Sequence, residues 1–162
     1  MMMPSSITAR PKANDLVITR IFDAPRDLVF KAWTDAKHVA GWWGPDGFTI
    51  PVCELDVRPG GAMLIQMVGP DGTVYPGKGV YHEVVPPERL VFTSSAFENA
   101  EGIFGLEVLH TITFADDNGK TKLTLHAVVI RATPEVSAAL AGMEPGWNQG
   151  LDHLAETLKS IN

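Results

Sequence analysis

The sequence is poor in cysteine and has no long apolar segment: Cys53 is the single thiol in 162 residues. A lone cysteine excludes a disulfide within the chain and is typical of proteins from a reducing cytoplasm. No apolar run approaches the about 20 residues that a membrane-spanning helix needs. The first six residues, MMMPSS, lack the basic and then apolar order of a signal peptide. These absences predict a soluble, cytoplasmic protein.

Positive charge is also scarce, because 13 Lys and Arg stand against 19 Asp and Glu and give a net charge of −6 at pH 7. A chain of this sign repels the phosphates of nucleic acids and of anionic membranes, so we expect neither as a partner. The five histidines show no metal-ligand spacing and lie apart from the cysteine in the sequence. We therefore expect no metal site.

One segment resembles a phosphate-binding loop without one of its necessary residues. Residues 72–78, GTVYPGK, match the Gly-x-x-x-x-Gly-Lys pattern, but Gly79 stands where a Ser or Thr would contact magnesium. A strand is predicted after this segment, whereas phosphate binding needs a helix N-terminus there. The sequence therefore predicts no nucleotide and no other cofactor.

An apolar stripe at steps of three and four residues runs through the C-terminal region. Thr133 and Pro134 precede it as a helix start signal, and Gly142 and Pro145 interrupt it without changing its phase. The spacing predicts one long helix over 134–161 with a kink or a short break. The stripe consists of Val136, Leu140, Met143, Trp147, Leu151, Leu154, Leu158 and Ile161.

Most of the preceding chain is predicted as strand. β-Branched residues indicate a first strand over 16–22, and two short helices follow, one from Pro25 and one over about 37–42. Alternating apolar residues then predict strands over 49–57, 62–68, 77–85, 89–95, 106–114 and 121–131. Segments 69–76 and 97–105 are expected to be mobile loops. Residues 1–13 are predicted to be a disordered tail, and residues 14–162 a single domain.

This order of elements predicts an α+β protein in which a curved antiparallel sheet of about six or seven strands wraps around the long C-terminal helix. Six short motifs occur in order along the chain and support this arrangement. They are TRIFDAP at 19–25, WTD at 33–35, WWGP at 42–45, DVRPGG at 56–61, PERLVF at 87–92 and GW at 146–147.

Together these motifs resemble the family of homologues of the Hsp90 ATPase activator's C-terminal domain. That family belongs to the START-like, polyketide-cyclase-like superfamily, so the resemblance, which covers about residues 15–160, implies a helix-grip fold. It also implies that the gap between sheet and helix is often a ligand cavity, and that a homodimer is expected. Cavities of this kind are mostly apolar with a few polar groups. The candidate lining residues are Trp43, Phe48, Met63, Tyr81, Phe92, His110, Trp147 and Leu151. The same residues would also serve as plain core.

Two ionisable residues could carry chemistry. His110 lies in an apolar alternation on the face that should look at the long helix, and a buried, hydrogen-bonded histidine is favoured there over a ligand contact. Glu83 would share a strand face with Tyr81 if no bulge intervened, but an ion pair with Arg89 is favoured. Three hypotheses remain open. The leading one is binding of a small apolar or aromatic molecule without catalysis. The alternatives are a protein-interaction module that acts on a chaperone ATPase, and a cyclase- or hydrolase-like enzyme that uses His110 or Glu83.

Overall fold

Eight strands form one antiparallel sheet, and three α-helices accompany it. The computed structural model describes residues 6–9 and 15–161. Along the chain the elements are β1 (Ser6–Ala9), β2 (Asp15–Phe22), α1 (Arg26–Thr34), α2 (Ala36–Trp42), β3 (Thr49–Leu55), β4 (Ala62–Val68), β5 (Val74–Val85), β6 (Arg89–Glu98), β7 (Phe104–Asp117), β8 (Lys120–Ala132), a 3₁₀ turn (Pro134–Val136) and α3 (Ser137–Ser160). The strand order in the sheet is β1-β2-β8-β7-β6-β5-β4-β3, so β1 and β3 form its edges.

The inner face of the sheet follows from strict alternation along the strands. On β7 the side chains of Val108, His110, Ile112 and Phe114 are all buried, and on β8 those of Leu123, Leu125 and Ala127 are fully buried. Successive side chains of a strand point to opposite faces, so these residues form one apolar surface. The hairpin between β7 and β8 turns at Asn118 and Gly119, whose φ angles of 53° and 87° are left-handed, as an Asn-Gly turn requires. The helices cover this surface and bury the core.

The sheet extends beyond the predicted strand ends. β5 begins at Val74, β6 continues to Glu98 and β7 begins at Phe104, so the prediction of loops over 69–76 and 97–105 was wrong at the ends of these segments. Backbone hydrogen bonds close both turns, from Gly69 N–H to Thr73 O at 2.9 Å and from Asn99 N–H to Ile103 O at 2.8 Å. The residues added at these ends, VYP at 74–76, FE at 97–98 and FG at 104–105, are too few to show an alternation in the sequence.

The eighth strand comes from the segment that was predicted to be a disordered tail. β1 pairs antiparallel with β2, with Ser6 opposite Arg20 and Ala9 opposite Val17. The tail prediction was therefore wrong for 6–9. Its remaining residues, 1–5 and 10–13, lie outside the described residues. A four-residue edge strand is held by backbone bonds to one neighbour, so it needs no strong apolar pattern of its own.

α3 is one uninterrupted helix of 24 residues, and Pro145 lies inside it. The predicted short break is absent, because the helix continues through both Gly142 and Pro145. Its C-terminal half is tightly packed, with Leu151, Leu154 and Leu158 buried. Its N-terminal half, which includes Leu140, is less buried.

Polar contacts fix α3 on both sides. Arg20 of β2 donates a hydrogen bond to Asp152 at 2.6 Å. On the other side, Gln149 Oε1 accepts from the Asp46 backbone N–H at 2.9 Å, and His153 Nε2 lies 2.6 Å from Asp46 Oδ1. The second set ties α3 to the loop between α2 and β3. This loop carries Trp43 and so helps to position the interior described next.

Candidate functional site

A small interior space lies between the inner face of the sheet and the first two helices. It encloses no volume that a water molecule could occupy. Its walls are apolar or aromatic, and α1, α2, β4, β5 and β6 all contribute to them. The lining residues are Trp33, Val39, Trp43, Leu55, Met63, Ile65, Tyr81, Leu90 and Phe92.

All four tryptophans of the chain belong to one aromatic cluster beside this space. Trp33 is its centre: its ring lies 4.8 Å from that of Trp42, 6.2 Å from that of Trp43 and 5.9 Å from that of Trp147, on which it stacks. Offset-stacked and edge-to-face rings at these separations attract one another beyond simple burial. The cluster joins α1, α2, the following loop and α3, so any movement in the interior changes the surroundings of a tryptophan.

His110 extends this cluster onto the sheet. Its ring stacks on that of Phe92 at 4.7 Å and meets that of Trp147 edge-on at 5.5 Å. Burial, opposed by a hydrogen bond to the Phe92 backbone, lowers the pKa of His110 to about 3. The imidazole is therefore neutral at physiological pH. Its Nδ1 has no hydrogen-bond partner among the described residues.

Two more buried polar atoms in this region lack a partner among the residues that the structure describes. They are the indole N–H of Trp33 and the hydroxyl of Tyr81. Trp42 shows the ordinary arrangement, because its indole N–H donates to the Ala32 carbonyl at 2.9 Å. Burial also raises the pKa of Tyr81, so its hydroxyl keeps its proton. Buried polar groups are normally paired, and three unpaired ones within one connected set of aromatic residues are unusual.

Most of the predicted lining residues lie at or beside this space. Trp43, Met63, Tyr81 and Phe92 line it. His110 and Trp147 do not line it themselves, but their rings contact rings that do, since His110 stacks on Phe92 and Trp147 stacks on Trp33. The structure therefore brings six of the eight predicted residues together.

The structure places the other two predicted residues elsewhere. The Phe48 ring packs on that of Tyr75 at 5.8 Å, next to the turn at Gly69, because the loop before β3 leads it toward the β4–β5 hairpin. Leu151 is fully buried, but it contributes to the packing of α3 on the core and not to the walls of the space. Neither residue lines this space.

Sequence reasoning also missed Trp33. Leu28, Val29, Ala32 and Trp33 are spaced as the inward face of α1, but nothing in this spacing shows that the Trp33 ring reaches the space under the sheet. The WTD motif at 33–35 was the available signal.

Glu83 stays outside the interior. The register between β5 and β6 shifts between Tyr81 and Glu83, which is the bulge that the sequence left open. Glu83 consequently lies exposed and pairs with Arg89 at 3.2 Å, as favoured from the sequence. It therefore cannot act on a molecule in the interior together with Tyr81.

Other reactive groups are sparse in the described part of the chain. Cys53 is half-buried, and desolvation raises its pKa to about 11, which keeps it in the unreactive thiol form. Across residues 6–9 and 15–161, no three His, Cys, Asp or Glu side chains are placed to hold a metal ion. Within the same residues, no helix is long and apolar enough to span a bilayer.

Comparison with solved structures defines the class of protein. A protein from Chromobacterium violaceum is 29% identical over 91% of this chain and 98% of its own, with a TM-score of 0.77. The AHSA1 protein from Silicibacter pomeroyi is 26% identical over 91% of this chain and 99% of its own, with a TM-score of 0.73. A protein from Arthrobacter aurescens, 21% identical over 97% and 93% of the two chains, shares the fold with a TM-score of 0.83. No curated protein sequence matches this chain.

An antiparallel sheet packed on a long C-terminal helix defines a START-like protein with the helix-grip fold, as the sequence predicted, although the sheet has eight strands and not the six or seven expected. Within that class, residues 23–159 match the model of the "Activator of Hsp90 ATPase homolog 1-like protein" family. The chain belongs to this family. This membership confirms the resemblance carried by the six sequence motifs, and it supports a ligand-binding or Hsp90-activator-type module.

Proposed function

We propose that this protein binds a small apolar or aromatic molecule in the interior between the sheet and the helices, without catalysing a reaction. One observation carries the proposal: Trp33 and Tyr81, which line this aromatic-walled space, hold unpaired polar atoms, and His110, whose ring stacks on Phe92 of its wall, holds a third. Each unpaired buried polar atom costs about 1–3 kcal/mol relative to a paired one. A bound molecule that supplied the missing partners would recover part of this cost.

The interior is closed, so entry of a molecule needs side chains to move. Trp43 and Trp147 are the half-buried members of the aromatic cluster, and their rings lie 5.2 Å apart. Trp43 sits on the loop before β3, and Trp147 on the less buried half of α3. Both side chains reach the surface, so we propose that a ligand enters between these two rings.

The state of the candidate catalytic residues supports binding over catalysis. An efficient general base has a pKa near the working pH, whereas burial holds the pKa of His110 at about 3. Glu83 is exposed, paired with Arg89 and separated from the interior by the bulge. The interior thus offers hydrogen bonds and apolar surface, and no acid–base pair.

Benzene titration tests the proposal directly. Because all four tryptophans lie in the cluster, binding should change tryptophan emission saturably and should raise the melting temperature by mass action. Met63→Ala, which enlarges the interior, should strengthen benzene binding, since an apolar cavity of sufficient size binds such molecules. Val80→Ala on the same sheet changes a residue that is 42% exposed, and it should leave binding unchanged.

The Hsp90-activator alternative predicts the opposite pattern. Under that alternative, benzene has no saturable effect in the wild type or in Met63→Ala, and the purified protein accelerates the ATPase of a purified Hsp90-type chaperone. Native mass spectrometry of freshly purified protein gives an independent reading, because a co-purified small molecule supports the interior site.

A further inference from the structure

We infer that Met63 determines the size of the molecule that the interior accepts, because its thioether occupies the place that a ligand takes. The inference rests on the proposed function and adds the residue that sets ligand size. Met63 is a plug, meaning a side chain that fills the site until a ligand displaces it. A plug also accounts for an interior that encloses no volume that a water molecule could occupy.

The Met63 side chain covers a glycine of the neighbouring strand. Met63 on β4 lies opposite Gly79 on β5, is 7% exposed and lines the interior space. A Cβ placed on Gly79 would lie 3.1 Å from Met63 Sδ and 3.4 Å from Met63 Cβ. The thioether therefore occupies the position on the inner face where any other residue at 79 would hold its own side chain.

Gly79 belongs to a depression in the inner face of the sheet. It lies opposite Ser94 on β6, and two residues along β5 Gly77 lies opposite Ala96. Ser94 in turn pairs with Val108, whose buried side chain marks the inner face. Two glycines, a serine and an alanine leave this area of the sheet without bulky side chains, so it is lower than the surface around it.

The depression has free space beside the sulfur atom. Apart from its neighbours in the chain, a Cβ placed on Gly77 would meet within 4 Å only the Ile65 carbonyl oxygen, at 3.0 Å, among the described residues. Ser94 and Ala96 are only half-buried, so the depression reaches the surface. Methionine is unbranched and has three rotatable bonds. The Met63 thioether can therefore turn from Gly79 into the space above Gly77.

Movement of the thioether vacates an apolar site. The vacated place belongs to the space that the rings of Tyr81 and Phe92 also line, and Leu55 lies opposite Met63 on its other side. None of the residues that line this space carries a charge, so the site suits an uncharged, apolar molecule. The atoms that leave are Cγ, Sδ and Cε of Met63, and a chain of three carbon atoms matches them in size.

Met67 supplies a matched control on the same strand. It lies four residues after Met63 on the same face of β4, and a Cβ placed on Gly44 would lie 3.1 Å from its Sδ. Met67 thus covers a glycine in the same way, but it is not among the residues that line the interior space. Truncation of Met67 therefore uncovers a glycine without changing this site.

Intermolecular NOEs between benzene and the wild-type protein test the plug directly. Benzene should show an NOE to the inward α-proton of Gly79, and the Met63 methyl group should gain one to an α-proton of Gly77. The first contact requires that the thioether has left Gly79. If benzene binds without an NOE to Gly79, Met63 is not a plug and the binding function still stands. If benzene does not bind, the inference and the proposed function both fail.

Two alanine variants test the size preference by calorimetry. Met63→Ala should raise the affinity for propylbenzene at least about tenfold more than the affinity for benzene, because the three-carbon chain is buried where Cγ, Sδ and Cε were. Met67→Ala should keep the wild-type ratio of the two affinities. An unchanged ratio in Met63→Ala, or an equal change in both variants, shows that Met63 does not set ligand size.

Discussion

The guanidinium Nη1 of Arg20 lies 2.6 Å from Oδ1 of Asp152 and connects the inner face of β2 to α3. The two partners differ in exposure: the Arg20 side chain is 6% exposed and that of Asp152 is 69% exposed. Nη2 of Arg20 adds a contact of 3.2 Å to Asn148 Oδ1 on the same helix. The buried charge that needs a partner is therefore Arg20 on β2. The helix α3 is held in place because its Asp152 supplies that partner.

Asp152→Ala should consequently destabilise the protein by about 1–3 kcal/mol, because it leaves the buried guanidinium without its carboxylate. Glu156→Ala is the control on the next turn. That residue pairs only with Lys159, and both side chains are 74% exposed, so its loss should change stability by less than about 0.5 kcal/mol. Urea melts measure both values. Equal, small losses would show that the remaining contacts of Arg20 are sufficient.

The neutral, buried His110 makes stability depend on pH. The pKa of His110 is about 3 in the folded protein, against an ordinary value of 6.5. Between pH 3 and pH 6.5, His110 is therefore protonated in the unfolded chain and neutral in the folded protein. The contribution of neutral His110 to the free energy of unfolding is therefore complete above pH 6.5. It is lost as the pH falls toward 3, with a slope of at most about 1.4 kcal/mol per pH unit. We expect the unfolding free energy to fall over this window.

His110→Phe isolates this contribution, because phenylalanine can keep the ring contact with Phe92 and does not titrate. Urea melts at several pH values should show a shallower fall for the variant below pH 6.5 and parallel curves above it. Parallel curves throughout would mean that His110 accepts a proton in the folded state.

Leu151 should behave as a core residue. It is fully buried, whereas Leu158, on the same helix face, is 5% exposed. Each substitution to alanine removes buried methyl groups and leaves a cavity, so each should cost about 2–5 kcal/mol. As part of the wall of an open cavity, which was the expectation from the sequence, Leu151 would lose less stability on truncation than Leu158. We now expect Leu151→Ala to lose at least as much as Leu158→Ala, with benzene binding unchanged in both. If Leu151→Ala changes benzene binding and Leu158→Ala does not, Leu151 lines the binding site.

Substitution of two glycines by alanine should change the stability of the protein in opposite directions. Gly142 lies inside α3, where a Cβ would meet nothing within 4 Å, so Gly142→Ala should stabilise by about 0.5–1 kcal/mol through helix propensity. At Gly61 a Cβ would lie 1.8 Å from the Asp56 carbonyl oxygen, so the turn must deform. Thermal melts should show a raised melting temperature for the first variant and a clear loss for Gly61→Ala. Similar behaviour of the two would contradict this assignment.

The fold could be predicted because its signals are local. Alternation on β7 and β8, the Asn118-Gly119 turn and the stripe on α3 each specify an element from neighbouring residues. β1 could not be predicted, because its four residues depend on hydrogen bonds to β2. Of the kink or short break expected at Pro145, the break is absent, because the loss of one backbone hydrogen bond is offset by the packing of the following turns through Leu151, Leu154 and Leu158.

The site could be predicted only in part. Alternation identified His110 as inward-facing, since it lies in a regular stretch of β7. It could not show that Phe48 turns toward Tyr75, because a loop conformation decides that direction. The closeness of Trp33 to residues of β5 and β6 is a property of helix packing across a distance of about 50 residues in sequence, and no local pattern encodes it.

The bulge in β5 has an evolutionary consequence. Regular alternation from Tyr81 would turn the Glu83 carboxylate inward, and the extra residue in the ladder turns it outward. Glu83 is thus two residues from Tyr81, which lines the uncharged interior, and only the backbone register turns the Glu83 side chain away from that interior. A shift in register at this one point, without any change of side chain, is therefore the shortest route by which a relative could convert a neutral binding interior into one that holds an acid–base group.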